Sequence, residues 1–176
     1  ALFDSVKPNG MMVLQGVDSV TIDGINFRDT NTVSSAKMME YGIGLFRLGT
    51  DGAQKNTIKN CTITLNRNNL APTTQPFFTL GATGILMLNA NYNSATTALT
   101  TATSSTNANS SNRFYSNTIN NSHVGIYVLG NATGIGTGIN PTGGDFGNDV
   151  GGSSIATGNT IVNFGGGTGA NILSYG

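Results

Sequence analysis

The sequence predicts an all-β solenoid, a chain wound in stacked coils, and three observations carry that prediction. Two short patterns recur in alternation through the 176 residues. Apolar positions within them alternate with period two, as strands do, and nowhere at the three-and-four spacing of a substantial helix. Glycine, with 25 residues, joins Asn, Ser and Thr in separating the patterns. Self-similarity of this kind is what stacked supersecondary units leave in a sequence.

The first pattern runs "TIDGINF" (Thr21 to Phe27), "TIKNCTI" (Thr57 to Ile63), "RFYSNTI" (Arg113 to Ile119) and "IATGNTI" (Ile155 to Ile161). Each copy reads as two short strands meeting at a bend. Aligned on the last apolar residue, the bend holds Gly24, Asn60, Ser116 and Gly158, mostly residues that tolerate the left-handed backbone of a tight corner. One place further, Ile25, Cys61, Asn117 and Asn159 point inward. Asn117 and Asn159 are expected to stack and hydrogen-bond along the axis, a structural use of buried amides.

The second pattern is "GMMVL" (Gly10 to Leu14), "GIGLF" (Gly42 to Phe46), "GILML" (Gly84 to Leu88), "GIYVL" (Gly125 to Leu129) and "NILSY" (Asn171 to Tyr175). Period two places Met11, Ile43, Ile85, Ile126 and Ile172 on the inner face, with Val13, Leu45, Met87, Val128 and Ser174 two residues on. The other face is apolar too: Met12, Leu86, Tyr127 and Leu173 in one row, then Leu14, Phe46, Leu88, Leu129 and Tyr175. A strand apolar on both faces belongs to a sheet covered on both sides. The insert containing Leu70 to Leu80, with its "PFF", is the expected cover. Alternatives are a protein partner or a sugar ring on the surface formed by Phe46, Leu88, Tyr127, Leu129 and Tyr175.

The second-pattern strands start at residues 11, 43, 85, 126 and 172, farther apart than two or three short strands require. Insertions fill the difference at Asn31 to Met39, Asn66 to Leu80, Tyr92 to Ser111 and Asn131 to Gly152. Residues 92–111 form a Ser/Thr-rich insertion of low complexity, expected to be mobile or to lie flat as a polar cover. The whole of 1–176 reads as one solenoid segment. No capping helix is evident at either end, so it is expected to be a piece of a longer chain or to have its ends covered by partners.

Composition excludes several function classes. Only 9% of residues are charged, against about 25% in ordinary soluble domains, and eight basic residues balance eight acidic ones. Such a chain cannot bind nucleic acid through counterion release, nor anchor to a membrane through a polybasic patch. No apolar run reaches the roughly 18 residues of a membrane-spanning helix. One cysteine, Cys61, excludes an internal disulfide and a thiolate cluster.

Strings such as "NTIKNCTI", "SNTINNSHVGIYV" and "TGNTIVNF" resemble the right-handed parallel β-helix repeats of the pectate-lyase-like superfamily. More narrowly, "VDSVTIDGINFRDTN", "MEYGIGLFRLGTDGAQKNTIKNCTITLNRNN" and "NDVGGSSIATGNTIVNFGG" are similar to the β-helical modules of large, repetitive surface proteins exported by type IX secretion. The resemblance implies a right-handed parallel β-helix of about four to five coils with long loop insertions. It implies an extracellular or cell-surface location, with neighbouring modules of the same long protein, cell-surface glycan or the secretion machinery as partners. It leaves the activity open, because the superfamily contains both enzymes and adhesins.

No catalytic set stands out. A glycoside-cleaving pair needs two carboxyl groups about 5 to 10 Å apart, and the acids Asp4, Asp18, Asp23, Asp29, Glu40, Asp51, Asp145 and Asp149 include no adjacent pair. Asp23, Lys59 and Tyr115 occupy equivalent places on successive coils and are expected to stack as a surface cluster. In "GGDFGNDVGG", Asp145, Asn148 and Asp149 are oxygen-bearing side chains on a Gly-rich loop and form a candidate calcium site, the single cofactor considered. Asp side chains bonding their own turn are the alternative. His123 has no second histidine or adjacent acid to make it a metal ligand or base. Arg28, Arg47, Arg67 and Arg113 are scattered singly. The expected function is a non-catalytic structural or adhesive module, a rigid spacer. The alternatives are a polysaccharide lyase or hydrolase and a carbohydrate-binding β-helix.

Overall fold

A computed structural model describes residues 9–31, 38–67, 82–92, 102–130 and 144–165. Among these residues twelve strands wind into four coils of three, and each coil sends one strand to each of three parallel sheets. The first coil contains β1 (Gly10–Gln15), β2 (Thr21–Asp23) and β3 (Asn26–Arg28), and the second β4 (Tyr41–Arg47), β5 (Thr57–Lys59) and β6 (Thr62–Thr64). The third has β7 (Thr83–Asn91), β8 (Arg113–Tyr115) and β9 (Thr118–Asn120), and the fourth β10 (Val124–Leu129), β11 (Asp149–Val150) and β12 (Thr160–Val162). Strand order is β1-β4-β7-β10 in the first sheet, β2-β5-β8-β11 in the second and β3-β6-β9-β12 in the third. This is the right-handed parallel β-helix. Among the described residues no helix is long and apolar enough to cross a membrane.

Inside the coils, equivalent apolar side chains pile on one another in register. Met12, Ile43, Ile85 and Ile126 form one column of the first sheet, and Leu14, Leu45, Met87 and Val128 the next. Ile22, Ile58, Phe114 and Val150 stack in the second sheet, and Phe27, Ile63, Ile119 and Ile161 in the third. The members from the two middle coils are wholly buried. At the first-sheet strand entrances of the second, third and fourth coils the third sheet comes so close that only glycine fits. A Cβ on Gly42, Gly84 or Gly125 would lie 2.4 to 2.5 Å from Ile63, Ile119 or Ile161 of its own coil.

β1 departs from the predicted inner face. Gly10 pairs with Tyr41, not Gly42, so Met12 and Leu14 fill the core columns, and Val13 lies on the outer face opposite Gly44. A one-residue slip exchanges the two faces of a strand. Its physical cause is the Tyr41 ring, which lies over Gly10 where any Cβ would collide with it.

The bend in the first pattern takes the expected conformation in three coils, with φ of 72° at Gly24, 53° at Asn60 and 52° at Ser116. The fourth coil differs. Gly158 has φ −61°, and Ile155–Thr157 is a 3₁₀ turn whose Ile155 is fully exposed, so "IAT" is not the strand its spelling suggested. The second-sheet strand of this coil is the two-residue β11, and the left-handed turn moves to Gly151 and Gly152. A polar strand flanked by glycines carries little periodic signal, whereas "IATGNTI" imitates its neighbours.

Asparagines hold the corners, where the chain leaves one sheet for the next and its amides lose their ladder partners. At the corner between second and third sheets, Asn117 Oδ1 accepts the Cys61 amide at 3.1 Å and its Nδ2 donates to the Ile58 carbonyl at 2.9 Å. Asn159 repeats both bonds on Asn117 and Phe114. The expected stacking of Asn117 and Asn159 is therefore present. Cys61 takes the same place one coil earlier, its thiol near the Ile22 carbonyl. A second ladder, not foreseen, stands at the corner between first and second sheets. Asn56 holds Val20 N–H and the Val17 carbonyl, Asn112 holds Asn56 N–H and the Ala53 carbonyl, and Asn148 holds Asn112 N–H and the Asn109 carbonyl. One rule covers both ladders: each asparagine clamps the amide of its counterpart in the preceding coil and the carbonyl three residues before that counterpart. Every clamp points toward the N-terminal end.

Part of the Ser/Thr-rich insertion is built into this framework. Gly52 N–H donates to the Thr106 carbonyl, Lys55 N–H to Ser110, and Gln54 Nε2 to Ala108, while Asn109 Oδ1 accepts Ala53 N–H. Residues 93–101 of the tract lie outside the described residues.

Asn117→Ala removes an acceptor and a donor from two buried groups and should cost about 2–4 kcal/mol in denaturant unfolding. Native-state amide exchange should accelerate at Cys61, in the coil before the substitution.

Candidate functional site

The loop Asp145–Asp149 leads into β11 and lies against the first corner of the third coil. Asp145 Oδ1 accepts Asn109 N–H at 2.8 Å and Asn89 Nδ2 at 3.2 Å. Asn148 is the ladder member described above. Asp149 Oδ2 accepts the Tyr115 hydroxyl at 2.7 Å and its Oδ1 the Gly152 amide at 3.0 Å. The three candidate calcium ligands thus turn their oxygens to three separate sets of donors. Among the described residues no group of three His, Cys, Asp or Glu side chains is arranged to hold a metal ion.

The outer face of the first sheet is a second apolar layer. Phe46 and Leu88 are fully buried there with Tyr41, Leu86 and Ala90. Phe46 meets Tyr92 at 5.3 Å and Tyr41 at 5.7 Å between ring centroids, both tilted. Tyr127 and Leu129 are half-buried and pack against the same layer. Leu14, expected in this row, belongs to the core because of the β1 slip. Tyr175, Leu173 and the insert Leu70 to Leu80 lie outside the described residues.

Asp23, Lys59 and Tyr115 do align across β2, β5 and β8. Lys59 Nζ lies 3.2 Å from Asp23 Oδ2, and the Asn60 amide joins them. Asn60 first, then Lys59, lower the Asp23 pKa, but the pair is exposed and screened. His123 is buried, and burial lowers its pKa, so it is held neutral.

Sequence reasoning missed a buried polar chain at the end of the first sheet. Arg47, 2% exposed, donates through Nη1 to Asn89 Oδ1 at 3.0 Å and through Nη2 to the Gly49 carbonyl at 3.0 Å. Asn89 passes the contact on to Asp145. An arginine continuing the inner-face alternation of Ile43 and Leu45 was the available signal. Asp145 Oδ2 is buried without a hydrogen-bond partner among the described residues. Burial raises the Asp145 pKa to about 6, against the smaller opposing effects of Asn109, Asn89 and the Arg47 charge. Desolvation therefore outweighs the attraction between the two charges.

A polar groove of about 420 Å³ runs along the corner between third and first sheets. Arg28, Thr64, Arg67, Asn121 and Asn163 line it, with Asp29. Asp29 accepts the amides of Asn31 and Met39, at 2.9 and 2.8 Å. Arg67 donates to Asn163, which donates to Asn121. Comparison of the chain with protein-family models, curated proteins and solved structures found no match.

Since the folded pKa of Asp145 lies above the ordinary 3.8, its protonated form favours the fold. That contribution is fully present below about pH 4 and is lost as pH rises through about 6. Thermal unfolding should show a decrease of about 1–2 kcal/mol across this window, discounted for partial exposure. Asp145→Asn should abolish this component of the pH dependence.

Proposed function

We propose that the chain is a non-catalytic structural or adhesive module, a rigid spacer within a large extracellular or cell-surface protein. On this reading its relatives are the pectate-lyase-like β-helices, and in particular the modules of type IX-secreted surface proteins. The observation that carries it is the use of five of the seven described acidic side chains as fasteners between coils. Asp18 accepts Gln54 N–H, Asp23 pairs with Lys59, Glu40 accepts Asn9 N–H, Asp145 accepts Asn109 N–H and Asp149 accepts the Tyr115 hydroxyl. Each of these bonds joins one coil to the next, as do the asparagine clamps and the apolar columns. Chemistry on a polysaccharide needs carboxyl groups that face a substrate; these face the neighbouring turn of the chain.

A rod of this kind is a sum of coils and their interfaces. Deleting residues 41–82, one whole coil, places Asn112 and Asn117 against Val20 and Ile25. Circular dichroism should retain the β-sheet spectrum, and X-ray scattering should show a rod shorter by about 5 Å, one strand spacing. A global loss of structure would overturn the modular reading. Turnover of uronate-rich polymers, with or without calcium, would overturn the non-catalytic one.

The groove supports a second reading, carbohydrate binding without chemistry. Two guanidinium groups beside a row of amides suit hydroxyl-rich or acidic sugars. Retention on a glycan array that falls at least about tenfold with Arg28→Ala would favour it.

A further inference from the structure

The fourth coil presents an unfinished interface. Its inner residues stand in the same columns as wholly buried residues of the coils before it, yet Val128 is 41% exposed and Val150 51%, where Met87 and Phe114 are 0%. With Ile126, Ile161 and Asn159 they line an open cavity of about 460 Å³ at the end of the stack. The polar ladders stop at the same face. Val20, Asn56 and Asn112 each give their amide to an asparagine of the following coil, as Cys61 and Asn117 do at the other corner. The corresponding amides of the fourth coil, Asn148 and Asn159, meet no acceptor among the described residues.

From these two observations we propose that this end face docks a further parallel β-helical coil, from a neighbouring module, that carries asparagine at both corner positions. The proposal rests on the reading of the chain as one module among β-helical neighbours, and it names the face and the chemistry of the contact. At the second and third sheets, beyond the strand read at Asn171 to Tyr175, the columns of Val150 and Ile161 require inner residues that are Ile, Leu, Val or Phe. The clamps require side chains with an acceptor and a donor in the geometry of an amide, directed back toward this chain. A second copy stacked head to tail does not meet that requirement. Its first coil offers Val20 and Ile25 at the two positions, so the Asn148 and Asn159 amides would be buried without acceptors. Two copies joined by their fourth coils would oppose clamps that both need an asparagine from outside. The partner is therefore a different coil.

Changing the first coil to meet the requirement tests this. In the full chain, Val20→Asn with Ile25→Asn gives a second copy the side chains that the end face lacks. Sedimentation velocity should find this double variant associating end to end at least about tenfold more tightly than the unmodified chain. Adding Val150→Lys, which places a charge in the apolar column, should disperse it. Amide exchange at Asn148 and Asn159 should slow in the associated form. A double variant that keeps its β spectrum but associates no better than the unmodified chain overturns the proposal. So does an unmodified chain that already associates and is dispersed by Val150→Lys, because the occupant would then be a second copy. Neither result touches the coil deletion or the polymer assay, so the spacer reading can stand where this one falls.

Discussion

Every coil of this molecule has to turn corners, and at each corner the backbone leaves its sheet while still inside the protein. A buried amide or carbonyl without a partner is costly, and strand pairing cannot reach these groups. The asparagine clamp meets that constraint with one side chain for two backbone groups, through Asn56, Asn112 and Asn148 at one corner and Asn117 and Asn159 at the next. Strands as short as two or three residues persist because their ends are pinned in this way. Parallel register across the coils follows, since an asparagine displaced by one residue would meet neither of its targets.

The parts of the fold that were legible in the sequence are those governed by period. Ile43, Ile85 and Ile126, spaced along the chain by long insertions, announced one sheet by their shared Gly-Ile setting, and they do stack. Asn117 and Asn159 were legible because each follows a bend and precedes Thr-Ile. Asn56, Asn112 and Asn148 obey the same rule but sit between an insertion and the strand it delays, with Thr, Arg or Asp next in sequence, so no shared string marks them. The slip of β1 was hidden because "GMMVL" satisfies either register. An aromatic ring from the next coil decided it, and that is information no single strand contains. Of the candidate site, the surface stack of Asp23 and Lys59 could be read from alignment. The route from Arg47 through Asn89 to Asp145 could not, because its members come from two coils and from a loop with no periodic signal.

Charge is scarce here, and part of it is turned inward. Arg47 and Asp145 are removed from water at a cost that their mutual attraction does not recover. What the chain gains is connection, since the end of the first sheet and the loop before β11 are tied through one asparagine. Over the whole chain eight basic residues balance eight acidic ones, so little net field extends beyond the molecule.

The row of Gly42, Gly84 and Gly125 bears on how so repetitive a chain avoids mistakes while it folds. Strands that resemble each other invite pairing one residue out of step, and in a two-sided apolar sheet the hydrophobic effect alone penalises such an error weakly. Here a mispaired strand would drive a branched side chain into Ile63, Ile119 or Ile161, where not even a methyl group fits. The missing side chains therefore act as a key cut into the second, third and fourth turns, rejecting wrong alignments by collision rather than by loss of attraction.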